Sequence, residues 1–335
     1  CVFLCTATQP VLKSFFQNEV SIIELCPRPE EQFTFFKRAV FENAGVLTED
    51  KLVENLKQEF QALCIVNTKK RAQRIYKTLE SEGIYHLSTS MYPKHRKRVL
   101  QEIRGRLQEN KRCVLVSTSL VEAGVDLDFH SVYRELAGVD SMIQAAGRCN
   151  REGIREAKES KVFIFRFEEK QNVLGQRQQI DVTKSLLADG RELSDMESIA
   201  KYFEMLYHIK GDTLDKKKIM AEFTDKKAKY NFAKVGKEFR LIEQNTKTIF
   251  VNCEKQADEI LCSLKERGFT RSAIRKASHY CITVYDKEFD KLYGLGMIQP
   301  VSEDIEDFYE LKDRSRYTEE IGLELEFDDG VALFF

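Results

Sequence analysis

The chain has 335 residues, a formal net charge of −1, 42% hydrophobic residues and 32% charged residues. That length allows two domains with a core each, and the composition is that of a folded globular chain rather than a disordered one. No apolar run approaches the roughly 18 residues of a membrane span, so a membrane partner is not expected.

In chain order, Val2 to Cys5 reads as a strand ending in a turn at Thr6-Ala7-Thr8. Val20 to Leu25 is a run of mostly β-branched residues, expected as a strand, and Pro27 and Pro29 break the chain behind it. Residues 33–41 fit strand or helix, with strand preferred. Thr48 caps a helix running to about Phe60. Strands predicted at 62–67, 84–88, 113–117, 131–136 and 161–166 then alternate with helices at 69–82, 93–108 and 140–147. That alternation predicts an α/β fold, a parallel sheet with helices on both faces. After Phe167 the pattern loosens. Gln171 to Gln179 is a polar linker or loop, followed by helices at 182–188 and 195–208 and weaker strands at 239–242 and 247–251. Helices at 256–267 and 270–277 and a strand at 280–285 complete a mixed, mainly helical C-terminal domain. The expected divisions are 1–26, 27–170 and 171–335.

Two neighbouring blocks carry chemistry. Cys113-Val-Leu-Val-Ser117 is a buried parallel strand by composition. Thr118 and Ser119 follow at its carboxyl end, where open α/β sheets bind ligands. Glu122, Gly124, Asp126 and Asp128 crowd into the next residues. Hydroxyls there suit a phosphodiester backbone, and Asp126 can accept hydrogen bonds from a ribose or an Arg. The plainer reading of this block is a strand-to-helix loop with a cap. One strand later comes Gln144-Ala-Ala-Gly-Arg-Cys-Asn-Arg151. Arg148 and Arg151, three apart, lie on one helix face and can converge on one anion. A guanidinium donates bidentately to phosphate and keeps its charge. Gly147 keeps that face thin enough for close approach. Alone the pair is an ordinary solvated face; the two blocks in this order make a phosphate site the better reading.

Charge is segregated along the chain. Lys69, Lys70, Arg71 and Arg74 lie on one predicted helix, and Lys94, Arg96, Lys97 and Arg98 on the next. A further basic run covers 216–240, while Glu303 to Asp329 carries twelve acidic residues against three basic ones. Such clustering is the footprint of nucleic-acid binding. The first two groups fit a DNA-facing surface and a solvated face equally, and the 216–240 run fits solvation better. The nine Cys sit mostly in apolar runs without paired C-x-x-C spacing, and the five His are scattered. Reduced thiols and a cytoplasmic setting are therefore expected, and a metal site within this chain is not.

The two blocks resemble motifs V and VI of superfamily 2 helicases, ATP-driven motors built from two RecA-like lobes. The fuller string Val132-Tyr-Arg-Glu-Leu-Ala137, Asp140-Ser-Met-Ile-Gln144 and Gly147-Arg-Cys-Asn-Arg-Glu-Gly153 is similar to the CRISPR-associated helicase-nuclease of type I systems. Thr6-Ala-Thr8-Gln-Pro10 resembles motif III, and Cys64-Ile-Val-Asn-Thr68 with Lys69 to Tyr76 resembles motif IV and its helix. Leu87 to Arg98 resembles the family segment after motif IV, and Tyr317 to Leu323 resembles the C-terminal domain more loosely. The resemblance implies that 1–26 ends the first lobe, 27–170 is the second RecA-like lobe, and 171–335 is a linker and accessory domain. It implies Arg148 and Arg151 as catalytic arginine fingers, and Gln144, Gly124 and Asp126 at ATP. Thr6, Ala7 and Thr8 would couple hydrolysis to motion, and Asn67, Thr68, Ser117, Thr118 and Arg96 would hold nucleic acid.

The implied cofactors are ATP and Mg²⁺, held mainly by the first lobe, and a nuclease metal in an amino-terminal domain. The implied partners are single-stranded DNA and the type I CRISPR surveillance complex with its guide RNA. No G-x-x-x-x-G-K-[ST] string or D-E-x-H-type box occurs in the sequence. The expectation is therefore the C-terminal part of a longer ATP-dependent DNA helicase that degrades foreign DNA, inactive as this fragment alone. The alternatives are a fragment of another superfamily 2 RNA or DNA helicase, or a non-catalytic split subunit.

Overall fold

Short apolar strands separated by amphipathic helices build the first half of the computed structural model, which describes residues 3, 5, 6, 8, 23–169, 175–224, 232–239, 246–302 and 307–326. Helix α1 (Pro29–Phe35) leads into β1 (Val40–Leu47), α2 (Glu49–Gln58), β2 (Gln61–Ile65), α3 (Lys69–Leu79) and β3 (Ile84–Leu87). Then come α4 (Pro93–Gln108), β4 (Cys113–Ser117), β5 (Ser131–Glu135), α5 (Val139–Ala146) and β6 (Lys161–Phe167). The six strands form one wholly parallel sheet in the order β1-β6-β5-β2-β4-β3. Every residue of β2 is buried because both faces are covered. Ala62 and Cys64 meet Leu52, Leu56, Ile75 and Leu79 of α2 and α3, whereas Leu63 and Ile65 meet Val99, Ile103, Phe129 and Ala145 on the other side. This is the expected α/β layer with helices on both faces. The Thr48 cap is present, its side chain accepting from the Lys51 N–H.

The strand preferred for 33–41 is not there. Pro29 at the first turn, with Glu30 and Glu31 beside it, starts a helix instead. The strand begins at Val40 and runs to Leu47, with an irregularity at Asn43/Gly45 where Gly45 takes φ +71°. Residues 23–25 form no strand. The remainder of the 20–25 reading, Val2 and Leu4 of the Val2–Cys5 strand, Ala7 and residues 240–242 of the 239–242 strand lie outside the described residues.

Helices α6 (Arg177–Ala188) and α7 (Met196–Lys210) pack back on the sheet's edge. Val182, Leu186, Ile199, Tyr202 and Leu206 meet Leu136, Val139, Met142 and Ile164. A Cβ at Gly138 would lie 2.5 Å from the Tyr202 hydroxyl that donates to Asp140, so those side chains would have to shift to admit one. Two short helices, α8 (Ala221–Thr224) and α9 (Phe232–Glu238), precede a second, mixed sheet. Its order is β8-β7-β10-β9, from β7 (Thr246–Phe250), β8 (Cys281–Tyr285), β9 (Ile298–Pro300) and β10 (Phe308–Leu311). Helices α10 (Lys255–Arg267), α11 (Arg271–Ala277) and α12 (Asp286–Gly294) pack with it over a core of Phe250, Leu261, Leu264, Ile282, Leu292 and Leu311. Among the described residues no helix is long and apolar enough to cross a membrane.

The two basic helices have a partner in their own chain. The segment carrying β11 (Tyr317–Thr318) and β12 (Gly322–Leu323) straps onto the lobe. Gln73 Nε2 donates to the Leu323 carbonyl at 2.7 Å, and the Leu323 N–H donates to the Ser90 carbonyl at 2.9 Å. Lys69 pairs with Glu288, Lys94 with Glu254, Arg98 with Glu254 and Glu319, Arg74 with Glu326, and Lys77 with Glu324. Arg71 is 1% exposed and serves Glu49, Glu135 and Glu169. Four of the eight cations in the 69–74 and 94–98 groups, Lys69, Arg74, Lys94 and Arg98, thus pair with the C-terminal domain, Arg74 also with Glu49 of the lobe. Among the described residues no ion pair engages Lys70, Arg96 or Lys97.

Candidate nucleotide and nucleic-acid site

The carboxyl edge of the parallel sheet gathers Asn67 and Thr68 after β2, the 117–128 loop after β4, and α5 after β5. Ordinary loop chemistry shapes this edge. Gly124 adopts φ +71°, and Cβ growth there would meet nothing within 4 Å, so the glycine is required by backbone conformation alone. A parallel bridge between Phe129 and Cys149 ties the end of the loop to the segment after α5. Asn150, at φ +50°, donates to the Arg38 and Arg155 carbonyls and accepts from the Arg155 N–H. Asp128 accepts from the Arg151 N–H at 2.8 Å and pairs with Arg155 at 3.0 Å.

The two arginines of the sequence motif flank the loop in different states. Arg148 is buried; its Nε donates to the Val121 carbonyl at 2.9 Å and its Nη2 to the Glu122 carbonyl at 2.6 Å. Burial depresses its pKa, Arg151 depresses it further, and Asp126 and Glu122 oppose the shift. Arg151 is 41% exposed and pairs through Nε with Asp126 Oδ1 at 2.6 Å, the Asp126 side chain being 71% exposed. Water reaches this second pair, so a stronger anion can displace Asp126 at little cost. Gln144 lies half-buried on α5, which ends at Ala146, so Arg148 and Arg151 follow the helix and do not share one of its faces as the spacing suggested.

The hydroxyls and amides expected at nucleic acid divide in the same way. Ser117 is fully buried and its Oγ donates to the Leu87 carbonyl at 2.7 Å, so that hydroxyl is spent on the sheet. Asn67 is likewise committed, its Nδ2 to the Leu136 carbonyl at 3.0 Å and its Oδ1 to Arg134 at 2.7 Å. These two side chains hold the strand ends, their polar atoms engaged within the fold. Thr68 caps α3 by accepting from the Arg71 N–H. Thr118 is 9% exposed at the strand end and makes no side-chain cap bond. Arg96 is half-buried on α4. Far from this edge in sequence, Thr6 Oγ1 donates to the Thr8 carbonyl at 3.0 Å, closing a local turn.

Sequence reasoning gave no role to Arg134, Glu135 or Ser141. Arg134 is 1% exposed at the end of β5, with Glu122 Oε1 2.9 Å from its Nε. Burial raises the pKa of Glu122, against Arg134 and Ser141, and raises that of Glu135, against the Asn67 N–H, Arg71 and Arg134. The available signal was an Arg-Glu pair closing an otherwise buried strand, where charge needs a compensating partner.

A family model described as CRISPR-associated nuclease/helicase Cas3, C-terminal, matches residues 58–154, the stretch that contains all of this edge. The Cas3 nuclease/helicase of Methanothermobacter thermautotrophicus is 26% identical over 151 residues, covering 43% of this chain and 18% of the relative. That of Haloferax volcanii is 48% identical over 63 residues, 18% of this chain and 7% of the relative.

Over residues 58–154 the chain is similar to the C-terminal part of Cas3.

Its fold is that of the crystal structure of T. fusca Cas3 with AMPPNP, at TM-score 0.52 and 16% identity, over 82% of this chain and 39% of that one. A CRISPR RNA-guided surveillance complex in a pre-nicking state contains a chain of the same fold, at TM-score 0.52 and 16% identity, over 85% of this chain and 43% of that one. The chain therefore spans less than half the length of these Cas3 relatives, and what it matches is their C-terminal helicase portion.

Proposed function

We propose that this chain supplies the second ATPase lobe, and part of the nucleic-acid track, of an ATP-driven single-stranded DNA translocase. Its longer form would also carry a nuclease and degrade foreign DNA in type I CRISPR immunity. The observation that carries the reading is Arg151, a water-accessible guanidinium held by a single exposed carboxylate beside the loop at the sheet's carboxyl edge. A site of that kind fits one anionic group. ATP and Mg²⁺ would be held mainly by a first lobe, and among the described residues no cluster of three His, Cys, Asp or Glu suits a metal. When bound, ATP would supply the phosphoryl group whose charge grows during transfer.

In this reading Arg151 leaves Asp126 and meets that charge, while Arg148 keeps the 121–122 backbone in place beside it. Gln144, Gly124 and Asp126 line the approach of the nucleotide. Thr118 and Arg96 remain the groups best placed for a phosphodiester backbone, giving binding without sequence preference. Thr6, Ala7 and Thr8 would transmit closure of the cleft. The surveillance complex with guide RNA is the proposed partner that delivers the DNA, the cytoplasm the proposed compartment.

The test is ATP turnover by the full-length protein. Arg151→Ala should lower kcat by about 10³-fold or more, the scale of arginine fingers in other NTPases. Single-strand binding should stay near wild type, because the guanidinium acts on charge that develops only during the reaction. A kcat close to wild type would refute the assignment.

A further inference from the structure

The family-like string Val132-Tyr-Arg-Glu-Leu136 contains the most heavily engaged side chain of the carboxyl edge. Arg134 Nη1 donates to Asn67 Oδ1 at 2.7 Å and to the Glu135 carbonyl at 2.6 Å, and its Nη2 donates to Ser141 Oγ at 2.9 Å. Its Nε faces Glu122 Oε1, and Ser141 Oγ donates onward to Glu122 Oε2 at 2.7 Å. One buried guanidinium thus joins the end of β2, the loop after β4, the end of β5 and the first turn of α5. Glu122 is in turn gripped from both sides, its carboxylate by Arg134 and Ser141 and its backbone carbonyl by Arg148.

We propose that Arg134 is a positioning residue of the ATPase site, which through Glu122 fixes the carbonyls on which Arg148 is seated and so sets where the Arg148–Arg151 pair points. This rests on the reading of that pair given above. Lys cannot replace Arg here, because an ammonium lacks the planar fork that reaches three acceptors in separate directions while facing Glu122. A buried ion pair kept for stability alone behaves differently. It can be exchanged at a cost in folding free energy, with turnover per folded molecule unchanged.

The experiment measures kcat and KM for ATP, per folded molecule, in the full-length protein carrying Arg134→Lys, Arg148→Lys or both. Arg134→Lys should lower kcat by about 10- to 100-fold with KM moved less than about threefold, the scale of a misplacement near 1 Å. The double variant should be no slower than Arg148→Lys within about twofold, because Arg134 acts through Arg148. Wild-type kcat in Arg134→Lys, or losses that multiply in the double variant, would overturn the proposal. If Arg134→Lys does not fold, Ser141→Ala removes one link of the same chain and should cost kcat several-fold, again without adding to Arg148→Lys. Normal kcat in both Arg148→Lys and Arg151→Ala would sink the ATPase reading itself. A loss there with a silent Arg134→Lys would sink only this inference.

Discussion

Glu254→Gln is a direct test of how the C-terminal domain is held on the parallel-sheet lobe. Glu254 is the N-cap residue of α10, and its carboxylate accepts from Tyr92 at 2.6 Å, from Lys94 at 2.8 Å and from Arg98, three residues of the lobe. Burial opposes its ionisation, but hydrogen bonds from Lys94, Tyr92 and Arg98 outweigh it and hold the carboxyl at about 2. Against the ordinary 4.5, that depression corresponds to about 3.4 kcal/mol at 1.36 kcal/mol per unit, and water at this rim reduces it to about 2 kcal/mol. Glutamine keeps the shape and one acceptor but removes the charge. A depressed carboxyl stabilises the folded state fully above its unfolded pKa and loses that contribution as pH falls towards the folded value. Urea denaturation at 25 °C should therefore show the variant weaker by about 2 kcal/mol at pH 7, with the gap down by roughly 60% at pH 3.5. Hydrogen exchange should show faster exchange in 317–325. Equal midpoints at pH 7, or a gap that does not narrow with acid, would refute the latch.

Gly322→Ala places a Cβ at φ +72°, 2.8 Å from the Met91 nitrogen and against the Ser90 carbonyl. Strain and overlap together should cost about 2–4 kcal/mol in urea denaturation, and an unchanged midpoint would mean that the strap is loosely seated. Arg71→Met leaves Glu135 buried without its neighbour's charge, so a loss of about 3–5 kcal/mol is expected, read from the same titration. A loss under about 1 kcal/mol would show that Arg134 alone suffices for Glu135. In the full-length protein, neutralising Arg96 and Lys97 should weaken single-strand binding for all sequences. Each lost phosphate contact should flatten the log–log salt dependence by about 0.7. Neutralising Lys77, which already pairs with Glu324, should leave that slope unchanged.

How much of this was legible in the sequence follows from where the determining contacts lie. The parallel sheet was readable because double-sided burial writes itself locally, as in the unbroken apolar run of β4. The helix at Pro29–Phe35 was missed because the four Phe of residues 33–41 outweighed a proline and two glutamates whose effect is confined to one turn. At the site, spacing found Arg148 and Arg151 but could not separate their states, since the carbonyls that seat Arg148 lie 26 and 27 residues away. Asn67 and Ser117 look like phosphate ligands in one dimension, yet their acceptors come from other strands.

Charge shows the same limit most sharply. The basic helices and the acidic stretch from Glu303 to Asp329 were both visible as runs, and the basic ones were weighed only as facing water or DNA. Their true relation is mutual. Glu319, Glu324 and Glu326 reach Arg98, Lys77 and Arg74 across more than 200 residues. A chain that neutralises its own basic face leaves few cations for an external polyanion. The formal charge of −1 is therefore compatible with nucleic-acid binding only through the residues this internal pairing spares, Lys70, Arg96 and Lys97 among them. Affinity should then depend on a handful of phosphate contacts rather than on the field of the whole surface, so a shallow salt slope is expected even for tight binding.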